Sequence, residues 1–185
     1  MRFYKNLSFH HISLRSLLIS AGVLILIAGS VSVPSAVVVS STVGKRELPI
    51  YCVQTDKPQI ALSFDAAWGN EDTAAILDIL KRNQIQATFF MTGGWVNSFP
   101  EDVKAIAAAG HDLGNHSQNH KEMSKLSADE IKQELMQVHT AVKELTGQDM
   151  VLFRPPYGDY NNLLIKTAAA CGYYSIQWNV ETYEL

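Results

Sequence analysis

The stretch Gly114-Asn115-His116-Ser117-Gln118-Asn119-His120 sets two histidines four residues apart among small and polar neighbours. On one helical turn, or where a strand end runs into a helix, that spacing can aim both imidazoles at one ion. Imidazole suits zinc, cobalt, iron or nickel. Two ligands hold a metal poorly, and a polar surface loop with two histidines reads the same way. The interpretation therefore turns on what else converges on this loop.

Working outward, the segments on either side repeat one pattern. Before the loop, residues 111–115 read as a short third strand. Further upstream, Gln59-Ile60-Ala61-Leu62-Ser63-Phe64-Asp65 is an apolar strand ending in a carboxylate, and Ala66-Ala67-Trp68-Gly69-Asn70 is a turn. Glu71 and Asp72 fall in the first turn of a helix, where acids are favourable. Ile76, Leu77, Ile79 and Leu80 give that helix its buried side until Asn83-Gln84 breaks it. Residues 85–91 are a second strand, Thr92-Gly93-Gly94-Trp95 a loop, and Pro100 starts a helix that Gly110 closes. After the histidines, Ser127 as N-cap with Glu130 three later opens a long helix, and Gly147 stops it. Residues 151–153 are a fourth strand, followed by Arg154-Pro155-Pro156-Tyr157-Gly158. Residues 161–170 are a fourth helix and residues 173–178 a fifth strand.

Strand, loop and helix in repetition predict an α/β fold with parallel strands and helices outside. Continuous apolar strands agree with that. In such folds the loops after the strands share one face, and ligands bind there. Asp65 ends the first strand, His116 and His120 follow the third, Arg154 follows the fourth, and Asn179 and Glu181 follow the fifth. Scattered surface loops do not predict that gathering. A carboxylate, two imidazoles and an arginine around one cleft suit metal-assisted hydrolysis, in which the ion acidifies water and polarises a carbonyl. Asp65 can take the proton from that water. Arg154 is too basic to be an acid, so its task is to hold Asp65 ionised and oriented. Trp68, Trp95, Tyr157 and Trp178 lie in or beside these loops and could stack on sugar rings. Core packing is the alternative, with even weight for Trp95.

The 185 residues leave room for one domain and a tail. Residues 16–41 carry no charge, which is long enough to span a bilayer as helix. Arg2, Lys5 and Arg15 precede that run with no acid, placing the N-terminus in the cytoplasm and the rest outside. The expected organisation is a basic cytoplasmic segment (1–15), a transmembrane anchor (16–41), a linker with a leading strand (42–57) and the α/β domain (58–185). A signal peptide cleaved near Ser35-Ala36, giving a secreted protein, is the alternative. The whole chain has net charge −3; the first fifteen residues carry three positive charges, so the remainder stands at −6. No basic stripe interleaved with aromatics is present, so no nucleic-acid partner is expected. Cys52 and Cys171 could pair outside the cell, but two separate buried thiols fit equally well.

Four of these stretches together resemble the polysaccharide deacetylase family, also called the NodB homology domain. Ser63-Phe64-Asp65-Ala66-Ala67-Trp68-Gly69 resembles its first motif, whose first Asp is the catalytic base. His116-Ser117-Gln118-Asn119-His120 matches its metal-binding His-Ser/Thr-x-x-His. Arg154-Pro155-Pro156-Tyr157-Gly158 matches the third motif, which lines the cleft and steadies the base. Trp178-Asn179-Val180-Glu181-Thr182 resembles the fourth, with Glu in place of Asp. Spacing and anchor resemble the sporulation-associated branch of Gram-positive spore formers. The resemblance implies a distorted (β/α) barrel and removal of N-acetyl groups from an amino sugar polymer, peptidoglycan or chitin-like. It makes Asp65 and Arg154 catalytic, His116 and His120 metal ligands, and Trp68, Tyr157, Trp178 and Glu181 substrate-binding. It implies a divalent ion, zinc foremost, and no organic cofactor.

Two departures qualify it. The family's first motif has a second Asp that ligates the metal, and here that position is Ala66. Weak, exchangeable metal binding follows. The family also ends on a strand with Leu and a catalytic His, beyond this sequence, so the barrel is expected to be incomplete and the 185-residue form inactive. On that reading the fifth strand is an exposed edge that invites aggregation. Two other functions fit the residues: a non-catalytic wall or carbohydrate-binding protein that keeps the fold, and a metal-dependent hydrolase of small amides.

Overall fold

The computed structural model describes residues 46–181. The uncharged run 16–41, and with it the anchor or signal reading, lies outside the described residues. Among those described, no helix is long and apolar enough to cross a membrane.

Five strands form one parallel sheet in sequential order: β1 (Ser63–Ala66), β2 (Thr88–Met91), β3 (Asp112–Asn115), β4 (Leu152–Phe153) and β5 (Tyr174–Ser175). Helices α1 (Thr73–Arg82), α2 (Gly93–Ser98), α3 (Pro100–Ala108), α4 (Ala128–Thr146) and α5 (Asn162–Ala170) make the connections. Order 1-2-3-4-5 with a helix in each crossover is what repeated strand–helix units build.

The register explains how one sheet serves two purposes. Pairing aligns Asp65, Phe90 and Gly114 in one row, and Ala66, Met91, Asn115, Phe153 and Ser175 in the next. Successive side chains point to opposite faces, so the rows look opposite ways. The second row, with Phe64, Phe89, Leu113 and Tyr173, packs against α4 residues Ile131, Leu135, Val138 and Val142. That helix also packs on α2, α3 and α5. Its start is the expected capping box: the Ser127 side chain accepts from the Glu130 amide, and Glu130 accepts from the Ser127 amide at 2.8 Å. Gly147 closes it in the left-handed conformation.

Several expectations need correction. Each strand is shorter than its apolar run; residues 85–87 and 59–62 precede β2 and β1 without joining them. Glu71 lies before α1 and Asp72 is its N-cap, so neither sits in the first turn. Gly93-Gly94 opens α2 instead of a loop, because the Thr92 side chain caps the Trp95 amide at 3.2 Å. The edge of β5 is not open: Ile50 pairs with Ile176, donating to Ser175 O and accepting from Gln177 N, both at 2.8 Å. The leading segment thus covers the very edge expected to be bare. Cys52 and Cys171 are free thiols. Trp95 is core: it is buried, and its indole N–H donates to Gly69 O at 3.0 Å.

Candidate active site

The strand ends bring Asp65, His116, His120 and Arg154 together. Arg154 Nη1 donates to Asp65 Oδ1 at 2.6 Å and Nη2 to Ser63 Oγ at 2.7 Å. The guanidinium lies 4.1 Å from the Phe90 ring centroid and 5.5 Å from that of Trp178. Phe90 can lie flat beneath it only because its row neighbour is Gly114; a Cβ there would fall inside the Phe90 ring's contact distance. Arg154 is therefore wedged between an aromatic floor and a carboxylate, with little freedom to turn.

The two imidazoles are held differently. His116 is buried, and its Nδ1 lies 2.8 Å from the Arg154 carbonyl. A carbonyl only accepts, so Nδ1 carries the proton and Nε2 keeps its lone pair. That Nε2 faces Asp65 Oδ2 at 3.8 Å, too far for a hydrogen bond. His120 lies edge-on to His116, with ring centroids 4.9 Å apart. Its Nδ1 is buried and has no hydrogen-bond partner. Burial pushes both imidazoles below their ordinary pKa, with Asp65 opposing the shift in each case. Both are thus in the neutral, ligating form at pH 7.

Three backbone amides of the loop that ends in His120 have side-chain acceptors. Ser117 N–H donates to Asn115 Oδ1 at 2.9 Å, Asn119 N–H to Glu134 Oε2 at 2.8 Å, and His120 N–H to Ser117 Oγ at 3.0 Å. The carbonyls of Ser117 and Gln118 accept from Gly93 N–H and Gly94 N–H of α2 at 3.0 and 3.3 Å. The Gln118 amide fills the place a Cβ on Gly93 would take. Asn115 is fully buried and its Nδ2 donates to Leu135 O at 2.8 Å and Tyr173 Oη at 2.9 Å. Tyr173 Oη also lies 3.0 Å from His139 Nδ1, whose Nε2 is 3.1 Å from Asp149. Ser117 and His120 have φ of +67° and +52°, and Tyr157 +61°. Among the described residues, three of the four non-glycine residues with positive φ thus fall in the two motif loops, and strain of this kind gathers at functional sites.

A rim surrounds His120. Tyr157 stands edge-on to it at 4.6 Å between centroids, and Trp68 lies at 5.8 Å. Both are exposed, Trp68 78% and Tyr157 67%, as surfaces available to stack on a ligand are. Trp178 touches Arg154 instead. Glu181 is exposed and makes no hydrogen bond or ion pair with the cluster among the described residues.

Among the described residues no group of three or more His, Cys, Asp or Glu side chains is placed to hold an ion together. Ala66, the last residue of β1, offers no ligand and packs with Leu62 and Phe64 against the helix-side core. The neutral Nε2 of His116 and the orphaned Nδ1 of His120 nonetheless fit a divalent ion held at two points. The donor set is an open two-imidazole site, not a closed cage.

Three residues around the loop escaped the sequence reading. Phe90 and Gly114 look like ordinary strand residues, and only their register reveals the stack under Arg154. Glu134 was hidden inside an amphipathic helix; the one signal was an acid on the face carrying Ile131, Leu135 and Val138.

The polysaccharide deacetylase family's profile matches residues 53–176, and the chain belongs to that family. Among curated relatives, peptidoglycan-N-acetylmuramic acid deacetylase PdaA of Bacillus subtilis is 36% identical over 131 residues, 70% of this chain and 50% of that protein. A peptidoglycan-N-acetylglucosamine deacetylase of Bacillus cereus is 35% identical over 129 residues, 70% of this chain and 47% of that protein. The structure of PdaA, a family 4 carbohydrate esterase, superposes with TM-score 0.69 at 34% identity, covering 71% of this chain and 57% of that one. A crystal structure described as a CE4 family pseudoenzyme from Bacillus anthracis matches with TM-score 0.69 at 36% identity, covering 72% and 47%. A mutant of that protein, described as having restored enzymatic activity, matches with TM-score 0.70 at 38% identity, covering 72% and 49%. The chain spans about half the length of the curated relatives it matches.

Proposed function

We propose that this chain carries the base-and-histidine part of a metal-dependent N-deacetylase for an amino sugar polymer, peptidoglycan foremost. The observation that carries the reading is Asp65 held at 2.6 Å by Arg154 and facing the lone-pair nitrogen of a buried His116. A divalent ion, zinc foremost, held weakly by His116 and His120, would supply carbonyl polarisation and a more acidic water. Asp65 takes the proton as the water oxygen bonds to the acetamide carbon. The C–N bond then breaks as the proton taken by Asp65 passes on to the nitrogen, leaving acetate and a free amine on the sugar. Arg154, fixed on Phe90, keeps Asp65 pointed at that proton. Trp68 and Tyr157 offer stacking faces to the sugar rings, with Trp178 and Glu181 further along the expected polymer track. No nucleic acid enters this reading. Catalysis takes place outside the cytoplasm, with the chain tethered through residues 16–41 or secreted after cleavage, in keeping with the uncharged run and basic flank.

Acetate release from N-acetylated peptidoglycan, by a form carrying this domain at the length of its relatives, tests the reading. Asp65→Asn is expected to abolish release while the melting transition stays cooperative. Unchanged release by that variant would rule out Asp65 as base.

One observation favours a second reading. Ala66 stands where the resemblance places a metal-ligating acid, and one similar structure is described as a pseudoenzyme. A non-catalytic wall-binding protein with this fold predicts that pull-down on peptidoglycan survives His116→Ala and His120→Ala together.

A further inference from the structure

We propose that Glu134 is the positioning residue that sets His120, by gripping the chain on both sides of it. The inference rests on reading His116 and His120 as metal ligands. Glu134 lies on the buried face of α4, between Ile131 and Leu135, and is only 4% exposed. An aliphatic side chain would pack there without the cost of taking a carboxylate out of water. What the carboxylate gains is one-sided. Oε2 accepts the Asn119 backbone N–H at 2.8 Å, and Oε1 accepts Asn119 Nδ2 at 2.8 Å and Lys121 Nζ at 2.9 Å. Every partner is a neighbour of His120, one before it and one after.

His120 needs such a grip. Its φ of +52° is uncommon for a residue with a Cβ, and its Nδ1 makes no hydrogen bond that would hold it there. A conformation of this kind persists when the surroundings over-determine it. The Ser117 hydroxyl holds the His120 amide from inside the loop, while Glu134 fixes the residues on either side from the helix. The loop is thereby referenced to α4, the helix most deeply seated in the core. Loss of the grip lets the chain relax to negative φ, which swings the His120 ring away from His116.

Glu134→Gln tests this in the full 185-residue chain. The amide is the same size, but its NH2 meets donors from Asn119 or Lys121. In metal-free protein, hydrogen exchange at the Asn119 and His120 amides is expected to speed up on the order of tenfold or more, while β2 and the centre of α4 keep their protection. In zinc titration calorimetry the variant is expected to bind about 10- to 100-fold more weakly. Lys121→Met, which removes one partner from a half-exposed position, is expected to move both readouts the same way by less. It serves if Glu134→Gln fails to fold. A merely structural tie lowers melting temperature and leaves zinc affinity per folded molecule alone. Equal zinc affinity in wild type and Glu134→Gln overturns the inference and leaves the metal reading standing. If the wild type takes up no zinc, the metal reading falls by itself. Unchanged exchange at Asn119 and His120 in metal-free Glu134→Gln then overturns the positioning role as well.

Discussion

The two strand ends that meet in the cleft are held to different degrees. At the end of β3, Asn115, Ser117, Glu134 and the α2 amides together fix the loop, and the His116 ring is held by the Arg154 carbonyl. At the end of β1, Asp65 is 36% exposed and leans on Arg154, Ala66 brings no polar atom, and Trp68 stands in solvent. Helix packing explains the contrast. The β3 loop rests on α2 and α4, so most of its backbone polar groups are paired there. At the β1 end the Asp65 carboxylate pairs with the buried Arg154, while Ala66 carries no polar side-chain atom and Trp68 is exposed.

The comparison is broken most severely by Asn115→Ala. That change leaves the buried Ser117 N–H without its acceptor and takes the Asn115 amide donor from Leu135 O and Tyr173 Oη. It is expected to cost about 3 kcal/mol or more of stability, read by urea denaturation. A loss under about 0.5 kcal/mol would mean that the β3 end is not the rigid half.

Alkaline pH probes the same half more gently. Burial pushes the Tyr173 phenol from its ordinary 10.0 up to about 12. The folded state then holds the proton more tightly than the unfolded chain. Stability contributed this way is complete below pH 10 and falls as pH rises from 10 towards 12. The expected fall is about 2–3 kcal/mol, and it should vanish in Tyr173→Phe. Melting curves across that range check both statements.

Trp68→Ala lies at the other extreme. With 78% of the residue exposed, stability should change by no more than about 0.5 kcal/mol. Affinity for a chitooligomer or muropeptide should drop. A variant that loses stability but not glycan affinity would place Trp68 among the packing residues.

The sequence made the fold legible because parallel strands are continuous apolar runs and each crossover helix carried its own stop signal. Gly147 and Ser127 fall where the pattern placed them. It misjudged what depends on pairing across the sheet. Residues 85–87 were read as part of the second strand but precede β2, and Ile50 covers β5 through two backbone hydrogen bonds that no side-chain pattern records. In the site, His116, His120, Asp65 and Arg154 were readable because histidine, carboxylate and arginine at strand ends are costly unless used. Their supports were not readable. Gly114 matters through the Phe90 ring it admits, and Glu134 through loop amides fifteen residues earlier in the chain. Both are relations between elements.

The central claim is that this chain keeps a two-histidine metal site and lacks its acidic third ligand. Zinc titration calorimetry of the wild type beside Ala66→Asp tests it most directly. The account predicts weak, exchangeable binding by the wild type and binding about tenfold or more tighter by Ala66→Asp, with His120→Ala abolishing the gain. Equal affinity in the two proteins would contradict it, because a carboxylate at the end of β1 would then not reach the ion that His116 and His120 hold.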